Sequence, residues 1–453
     1  MAAHTLTLCQ WVLLAGSVGA SLYAIAAALA MPFFTLRRGA AARFAQLAQT
    51  AHAVDAASLV HGADIALEGE PCLRPFAHVG VSVLKPLCGA EPRLYENLRT
   101  FCEQRHGHFQ LVLGVSSPDD PAIAVVRRLQ AAYPSLDIEL AIDTRVHGSN
   151  LKVSNLINMA ERARHDVIVI ADSDIAVEAD YLDSVAAPLA DSRVGVVTCL
   201  YVAKGVGGFW PRVGALFINE WFAPSVRVAH MGGSRRFGFG ATLALRRATL
   251  ESIGGFEALK NCLADDYWLA EHVRALGLRT VLSRVMVATD VIEPTFIALW
   301  QRETRWLRTI RSVNPLGFAF LFITFPTPWI VAGAWLTSVL ATSGGSAAHG
   351  VPALVSAAAT ATGLAARLLL HARGARQEAA SRGGFGGAFW RTFWRDLPLV
   401  PLRDTLLLLQ WLGGGFGSHV MWRGTRMRVE GAQAAARGRS LRVMDVAEAS
   451  DGR

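Results

Sequence analysis

The chain has 453 residues, 52% of them hydrophobic, and a mean hydropathy of +0.32. Such a positive mean is unusual for a protein that lies wholly in water, and the length allows one large domain or two ordinary ones. The net charge of +8 comes from 40 arginines and four lysines against 36 acidic residues. Arginines cluster beside apolar stretches, at 302–311, 372–395 and 423–442. This placement favours lipid headgroups over nucleic acid, for which no recognition motif is present.

Four apolar stretches are candidate membrane segments. Residues 11–34 carry no charge, and arginines follow at 37, 38 and 43. A cleaved signal peptide is the alternative, because residues 28–30 resemble a cleavage site. The arginines instead predict an uncleaved anchor with the next domain in the cytoplasm. The other candidates are 316–342, 350–370 and 397–421, of which the last either spans the bilayer or is re-entrant.

From residue 79 the sequence alternates short apolar runs with helical stretches. Nearly continuous apolar runs indicate strands covered on both faces, so the alternation predicts an α/β fold with a doubly wound, mostly parallel sheet. Residues 205–232 interrupt it, as a buried helix or a helix in the membrane interface. The predicted strands are 79–87, 109–117, 136–143, 166–174, 194–203, 237–247 and 279–289, and the predicted helices are 91–104, 121–133, 150–164, 181–190, 264–277 and 296–313.

These patterns predict a multi-pass protein of the inner, cytoplasmic membrane with five parts. They are an N-terminal anchor (1–36), a linker helix (37–78), a cytoplasmic α/β domain (79–314), a C-terminal membrane region (315–422) and a basic, partly disordered cytoplasmic tail (423–453). The membrane region would hold two spans and a third or re-entrant segment. The lipid bilayer is therefore an expected partner.

Familiar nucleotide-binding motifs are missing from the sequence. The first predicted strand leads into KPLCGAEP without GxGxxG, which disfavours a dinucleotide-dependent oxidoreductase. No GxxxxGK[ST] loop is present, which disfavours a phosphate-binding-loop ATPase. The six cysteines show neither paired spacing nor a zinc-like pattern.

Acidic residues stand at the ends of several predicted strands. Asp120 follows the second strand, Asp172 and Asp174 end the fourth, and Asp265 and Asp266 open a later helix. Singly, Asp120 suits a helix cap and the last two suit a helix dipole. Two carboxylates one residue apart repel each other unless a cation offsets them. Their hard oxygens suit Mg²⁺ or Mn²⁺ held partly by a diphosphate.

The segment RETRW places two arginines on one face of the helix predicted at 296–313. Arg302 and Arg305 can aim at the same anion beside the indole of Trp306. The alternative is a membrane-surface helix whose arginines extend to the headgroups.

Six segments, in chain order, resemble the ceramide glucosyltransferase family and its bacterial relatives in hopanoid biosynthesis. They are VSVLKPLCGAEP, DDPAI, ADSDI, ADDY, RETRW and WRGTRMRV. The resemblance covers about Val79 to Asn314, with a further match at 422–429. It implies a GT-A nucleotide-sugar fold and an inverting, metal-dependent hexosyltransferase. The motif DSD differs from the single Asp followed by Ser-Gly of the animal enzymes, and the chain looks closer to the hopanoid branch.

The resemblance implies a donor site for a UDP-sugar. Asp120 would contact the uridine, and Asp172 and Asp174 would serve the metal and the diphosphate. Lys85 and Lys152 match family segments as well and are interpreted as donor-binding residues.

The resemblance also implies the catalytic groups. Asp266 would be the base, and Arg302, Arg305 and Trp306 would hold the diphosphate and the acceptor end of the site. The expected reaction moves one hexose, glucose or N-acetylglucosamine, to the hydroxyl of a hopanoid or ceramide-type membrane lipid. A processive polysaccharide synthase and a non-catalytic membrane scaffold are the alternatives.

Overall fold

Residues 6–31, 79–342, 347–381, 386–422 and 425–428 are described by the structure, which is a computed structural model. The predicted linker helix at 37–78 and the tail beyond residue 428 lie outside the described residues.

The α/β domain is built on one eight-stranded sheet. Its strands are β1 (Val81–Pro86), β2 (Phe109–Val115), β3 (Asp137–Ile142), β4 (Val167–Ile170), β5 (Ile175–Ala176), β6 (Val194–Gly205), β7 (Leu243–Arg246) and β8 (Arg279–Val291). Their order is β3-β2-β1-β4-β7-β6-β8-β5. Neighbours are parallel except at β7, which is antiparallel to β4 and β6, and at β5, which is antiparallel to β8. The sheet is therefore parallel-rich but mixed.

Helices cover both faces of this sheet, as the apolar strands require. The helices of the domain are α2 (Leu94–Cys102), α3 (Ala122–Ala132), α4 (Leu151–Ala160), α5 (Tyr181–Ala186), α6 (Phe209–Phe217), α7 (Ala223–Met231), α8 (Arg247–Ser252), α9 (Asp265–Ala275) and α10 (Phe296–Val313). Side chains of α2, α3 and α5 form one buried cluster with the sheet. Those of α4 and α9 form another, so β1 sends Val83 to the first cluster and Leu84 to the second.

The segment predicted at 205–232 is largely buried protein interior. A π-helical turn, Ile218–Phe222, joins α6 to α7. Phe217 and Trp221 belong to the main core. Within the same turn, the Glu220 carboxylate accepts hydrogen bonds from Arg367 and His371.

The remaining helices are α1 (Leu8–Ala30), α11 (Pro315–Ala319), α12 (Pro326–Thr342), α13 (Ala347–Ser381), α14 (Gly387–Asp396) and α15 (Leu399–Gly414). Of these, α1, α12 and α13 form a bundle joined by hydroxyl-to-carbonyl hydrogen bonds. Ser17 donates to the Trp329 carbonyl at 3.1 Å, and Ser21 donates to the Ala359 carbonyl at 2.7 Å. Within the part of the chain that the structure describes, two stretches, Leu8–Ala30 and His349–Ala380, are long and apolar enough to cross a membrane.

The other two predicted membrane segments differ from a simple span. The segment predicted at 316–342 is divided into α11, a 3-10 turn and the 17-residue α12. The segment predicted at 397–421 contains the 16-residue α15 and leads into a hairpin of β9 (His419–Trp422) and β10 (Thr425–Arg428). Two charges of α15, Arg403 and Asp404, are buried against protein groups, and this explains a charged pair inside an apolar run.

Candidate active site

The Asp-x-Asp loop follows β4 at the carboxyl edge of the sheet. Asp172 pairs with the Lys152 ammonium at 2.7 Å, and Thr289 donates a hydrogen bond to Asp174 at 2.7 Å. Burial, and then the negative charge of Asp172, raise the pKa of Asp174 above its usual range. The loop therefore carries negative charge that the protein does not fully offset.

Lys85, at the end of β1, supports this loop from below. Its ammonium group donates to the Asp172 carbonyl at 2.7 Å and lies 3.8 Å from the centre of the Phe101 ring. Burial lowers the pKa of Lys85, although Asp174 and Asp172 act in the opposite direction. The side chain is fully buried and supports the loop. The donor-binding role that the sequence suggested for Lys85 stays a prediction.

Lys152 joins the Asp-x-Asp loop to the start of α9. It lies in the first turn of α4, which Asn150 caps by accepting a hydrogen bond from the Val153 N–H. Its ammonium group is 2.7 Å from Asp172 and 3.4 Å from Asp265. Burial opposes the charged form of Lys152, but these carboxylates outweigh burial and raise its pKa. One cation thus holds two acidic segments together.

Asp266 is held by two backbone N–H groups. Gly240 donates to one carboxylate oxygen and Tyr267 to the other, both at 2.8 Å. Burial, and then the charge of Asp265, raise the pKa of Asp266 to about 6. A carboxyl group with this pKa is ionised at neutral pH and still basic enough to accept a proton from a substrate.

Gly240 is a site residue that the sequence analysis missed. A Cβ at this position would lie 2.8 Å from an Asp172 carboxylate oxygen and 3.3 Å from the Lys152 ammonium nitrogen. A side chain at this position would displace the Asp172 carboxylate and crowd the Lys152 ammonium group. The repeated glycines of FGFG, at 237–240, were the available signal.

Two arginines of α10 lie near acidic residues of the site. The Arg302 guanidinium donates to Glu293 at 2.6 Å and lies 5.3 Å from the Trp306 ring. Burial, and then the charge of Arg302, lower the pKa of Arg305, while Asp266 and Asp172 act in the opposite direction. The structure therefore brings Arg305 into the electrostatic environment of the predicted catalytic and donor-binding acids, with Arg302 next to it.

Trp306 packs in an aromatic group beside this site. Its ring centre lies 6.4 Å from that of Tyr201 and 5.8 Å from that of Phe222. Phe239, next to Gly240, contacts both of these rings. Aromatic surface thus adjoins the loop that holds Asp266.

Asp120 connects two loops at the sheet edge. Its carboxylate accepts hydrogen bonds from the Gly89 N–H at 3.0 Å and from the Ala122 N–H at 2.8 Å. The first of these groups lies in the loop after β1, and the second opens α3. Another residue of the loop after β1, Glu91, accepts a hydrogen bond from Ser173 at 2.7 Å. Asp120 therefore combines the cap suggested by the sequence with a place close to the Asp-x-Asp loop.

The acids suit a divalent cation that is shared with a ligand. Among the described residues, no group of three or more His, Cys, Asp or Glu side chains is arranged to hold a metal ion by itself. Asp172 and Asp174 supply hard oxygen atoms, and the raised pKa of Asp174 marks charge that a cation would relieve. Mg²⁺ and Mn²⁺ commonly take one or two carboxylates and complete their coordination with phosphate and water.

A parallel-rich sheet with this acidic edge and an arginine-bearing helix defines a GT-A glycosyltransferase. The chain belongs to glycosyl transferase family 21, whose model matches residues 41–435.

Several known proteins are similar to this chain. Ceramide glucosyltransferase 1 of Caenorhabditis elegans is 27% identical over 237 residues, which are 52% of this chain and 51% of that protein. Ceramide glucosyltransferase 3 of the same organism is 26% identical over 240 residues, with the same coverage. The chain thus spans about half the length of these relatives. A solved mannosyltransferase of Pyrobaculum calidifontis, in complex with GDP-Man and Mn²⁺, is 21% identical with a TM-score of 0.41, covering 86% of this chain and 99% of its own.

Proposed function

We propose that the protein transfers one hexose from a UDP-sugar to the hydroxyl group of a membrane lipid, with inversion at the sugar carbon. The observation that carries the proposal is the Asp266 carboxylate, fixed by two N–H groups beside the Asp-x-Asp loop. The names of the relatives support a ceramide-type lipid acceptor and a glucose donor. A hopanoid acceptor and an N-acetylglucosamine donor rest only on the sequence segments that resemble the hopanoid branch of the family.

The side chains of the site divide the chemistry between acceptor and donor. Asp266 takes the proton of the acceptor hydroxyl group while the oxygen of that hydroxyl group forms a bond to C1 of the sugar. The bond between C1 and the diphosphate oxygen breaks on the opposite face, and UDP leaves with the bonding electrons. Arg302 and Arg305 stabilise the negative charge that develops on the diphosphate.

Asp172 and Asp174 would hold Mg²⁺ or Mn²⁺ in this reaction. Such an ion supplies positive charge to the leaving diphosphate. Lys152 keeps the two acidic segments together. Asp120, which accepts a hydrogen bond from the loop after β1, would contact the uridine of the donor.

The protein acts as a multi-pass inner-membrane enzyme in this proposal, with the α/β domain in the cytoplasm. The C-terminal end of α1 lies against the domain, where Ala28 and Met31 pack in one cluster with Val228 of α7, and this supports a domain close to the membrane. The arginines at 37, 38 and 43 favour the cytoplasmic side. A soluble donor would then reach the site from the water side, and a lipid acceptor would reach it from the bilayer.

The test is a transfer assay with the full chain in lipid nanodiscs that contain ceramide or a hopanoid alcohol. UDP-glucose and UDP-N-acetylglucosamine are supplied separately with Mg²⁺ or Mn²⁺. We expect UDP release that depends on the lipid and stops in excess chelator, with one labelled hexose on the lipid. Absence of transfer with every donor and acceptor pair would contradict the proposal, and full turnover in chelator would contradict its metal.

A further inference from the structure

Helix α14 presents aromatic side chains outward and polar side chains inward. Trp390 and Trp394 are 55% and 62% exposed, and their rings stack with centres 6.4 Å apart. Thr392 and Asp396 occupy the buried face. A helix that faces water shows the opposite pattern, with polar residues outside. The outer face of α14 is therefore suited to a partly apolar environment.

Ion pairs fix this orientation. The Arg212 guanidinium of α6 pairs with Asp396 at 2.7 Å, and Arg395 pairs with the same carboxylate. At the next turn, the Phe393 carbonyl lies 3.0 Å from a ring nitrogen of His371 in α13. Rotating α14 to hide its tryptophans would break the contacts with Arg212 and His371, and it would turn Asp396 out of the protein interior and leave the Arg212 guanidinium without its partner.

The elements beside α14 continue the aromatic surface. Trp210 lies two residues before Arg212, and its ring centre is 4.9 Å from that of Phe209 and 5.2 Å from that of Phe296. Phe209 and Phe296 are exposed, as is Ile297. We call Phe209, Trp210, Phe296, Trp390 and Trp394 the aromatic collar.

The α14 part of the aromatic collar lies close in sequence to a candidate membrane span. The stretch His349–Ala380 of α13 is long and apolar enough to cross a membrane, and α14 begins seven residues after its end. Tryptophan is enriched where a bilayer meets water, because its ring is apolar and its N–H remains hydrated. Arg376 and Arg391 are exposed on the same two helices and can reach lipid phosphates.

We propose that the aromatic collar lies in the headgroup layer of the bilayer. This inference rests on the proposed membrane location. Helix α10 begins in the collar at Phe296 and carries Arg302, Arg305 and Trp306 further along. Docking of the collar thus sets the height of the catalytic acids above the acyl chains, where an acceptor hydroxyl would be found.

Spin labels in the full chain test the depth of the collar. Trp390→Cys and Trp394→Cys are labelled separately after Cys9 and Cys88, the two exposed cysteines described, are replaced by serine. The protein is studied in phosphatidylcholine nanodiscs, and collisions with oxygen and with a water-soluble nickel complex are compared. Val146→Cys, exposed in the α/β domain, is the aqueous control, and Leu364→Cys, exposed in α13, is the bilayer control. The cysteine-replaced parent, labelled in parallel, reports any spin on the remaining cysteines.

We expect the ratio of oxygen to nickel collisions at 390 and 394 to lie between those of the two controls. A ratio at both collar positions equal to that at 146 would overturn the proposal. Shielding from both collision partners would also overturn it, because protein would then cover the collar. If 364 also behaves as aqueous, the membrane location fails as well. Transfer activity, measured separately, reports on the proposed function.

Discussion

The Asp266 carboxylate accepts a hydrogen bond from the backbone N–H of Gly240. Because Gly240 has no Cβ, the Asp172 and Lys152 side chains have room beside this N–H group. Asp266 also accepts the N–H of the residue that follows it, so both oxygens are oriented before a substrate arrives. Orientation of this kind distinguishes a positioned base from a carboxylate that only favours the start of a helix.

The Asn variant of Asp266 separates catalysis from helix capping. Asp266→Asn keeps an oxygen that can accept the Gly240 N–H but cannot take a proton. A general base contributes about 10²–10⁴-fold, so turnover should fall by that factor while UDP-sugar binding and thermal stability persist. Asp265→Asn, which removes a contact with Lys152, is the matched control and should retain more activity. Wild-type turnover in Asp266→Asn would reject the base.

The pH profile should report the same carboxyl group. Burial and Asp265 raise the pKa of Asp266 to about 6, and only its ionised form can act as a base. We therefore expect kcat/KM to fall as pH decreases through 6 and to stay level above it. Because the folded pKa lies above the unfolded value, ionisation of Asp266 lowers stability as pH rises from about 4 to 6. Asp266→Asn should lose the limb near pH 6 in its residual activity and be no less stable at pH 8.

Replacing Arg302 or Arg305 by lysine should lower kcat/KM. A planar guanidinium can hold two diphosphate oxygens at once, and Glu293 already orients Arg302 by accepting one of its N–H groups. Loss of a charge-assisted hydrogen bond costs roughly 1.5–3 kcal/mol, so kcat/KM should fall about tenfold to hundredfold. Arg236→Lys, at an exposed pair with Glu271, is the control and should have little effect. Equal rates in all three variants would leave α10 as a membrane-surface helix.

At the scale of elements, local pattern predicted most of the fold. The helix predicted at 296–313 forms over those residues, and the other predicted strands and helices are found near their expected positions. The antiparallel direction of β7 could not be predicted from the sequence. Two helices and a turn precede this strand, and no local pattern shows from which edge of the sheet it begins. Its start was also misplaced: 237–240 form the loop that holds Asp266, and the strand begins at Leu243.

Helix α10 has a second anchor that no local pattern could show. Glu303, between the two site arginines, is fully buried and accepts hydrogen bonds from Arg403 at 2.7 Å and Gln410 at 2.9 Å. These partners lie in α15, about a hundred residues away in sequence. The sequence left open whether the apolar segment that contains Arg403 spans the bilayer or is re-entrant. The structure shows that Arg403 holds the helix that carries Arg302 and Arg305.

A double substitution tests this anchor. Removing one partner of a buried ion pair costs about 3–5 kcal/mol, whereas replacing both by apolar residues is often neutral. Glu303→Leu should therefore lower the unfolding temperature strongly and weaken turnover by displacing α10. Glu303→Leu combined with Arg403→Met should recover much of the stability. Thermal unfolding in nanodiscs measures both, and a double variant less stable than the single one would contradict the pair.

In the whole molecule, apolar runs identified four candidate membrane segments but did not show which of them are long, continuous helices. Two stretches of the described residues, Leu8–Ala30 and His349–Ala380, are long and apolar enough to cross a membrane. Composition alone cannot separate a span from a helix whose charges find protein partners, as Asp404 does with Arg367 at 2.9 Å. Asp120, Asp172 and Asp174 could be singled out because they follow recognisable strands, and Asp266 because it lies in a segment that resembles the family; their roles stay predictions. Gly240 and Glu303 could not be singled out, because their roles arise only when distant segments meet.

The proposed reaction transfers one hexose to a membrane lipid, with Asp266 as the base that accepts the proton of the lipid hydroxyl. Lipid mass spectrometry on a host that expresses the full chain tests it most directly, with the Asp266→Asn variant as the matched control. We predict a lipid that is heavier by one hexose or N-acetylhexosamine with the wild-type chain, and its loss in the variant at equal protein abundance. A series of lipids with repeated sugars would contradict the transfer of a single hexose. The same new lipid in both strains would contradict the role of Asp266 as the base.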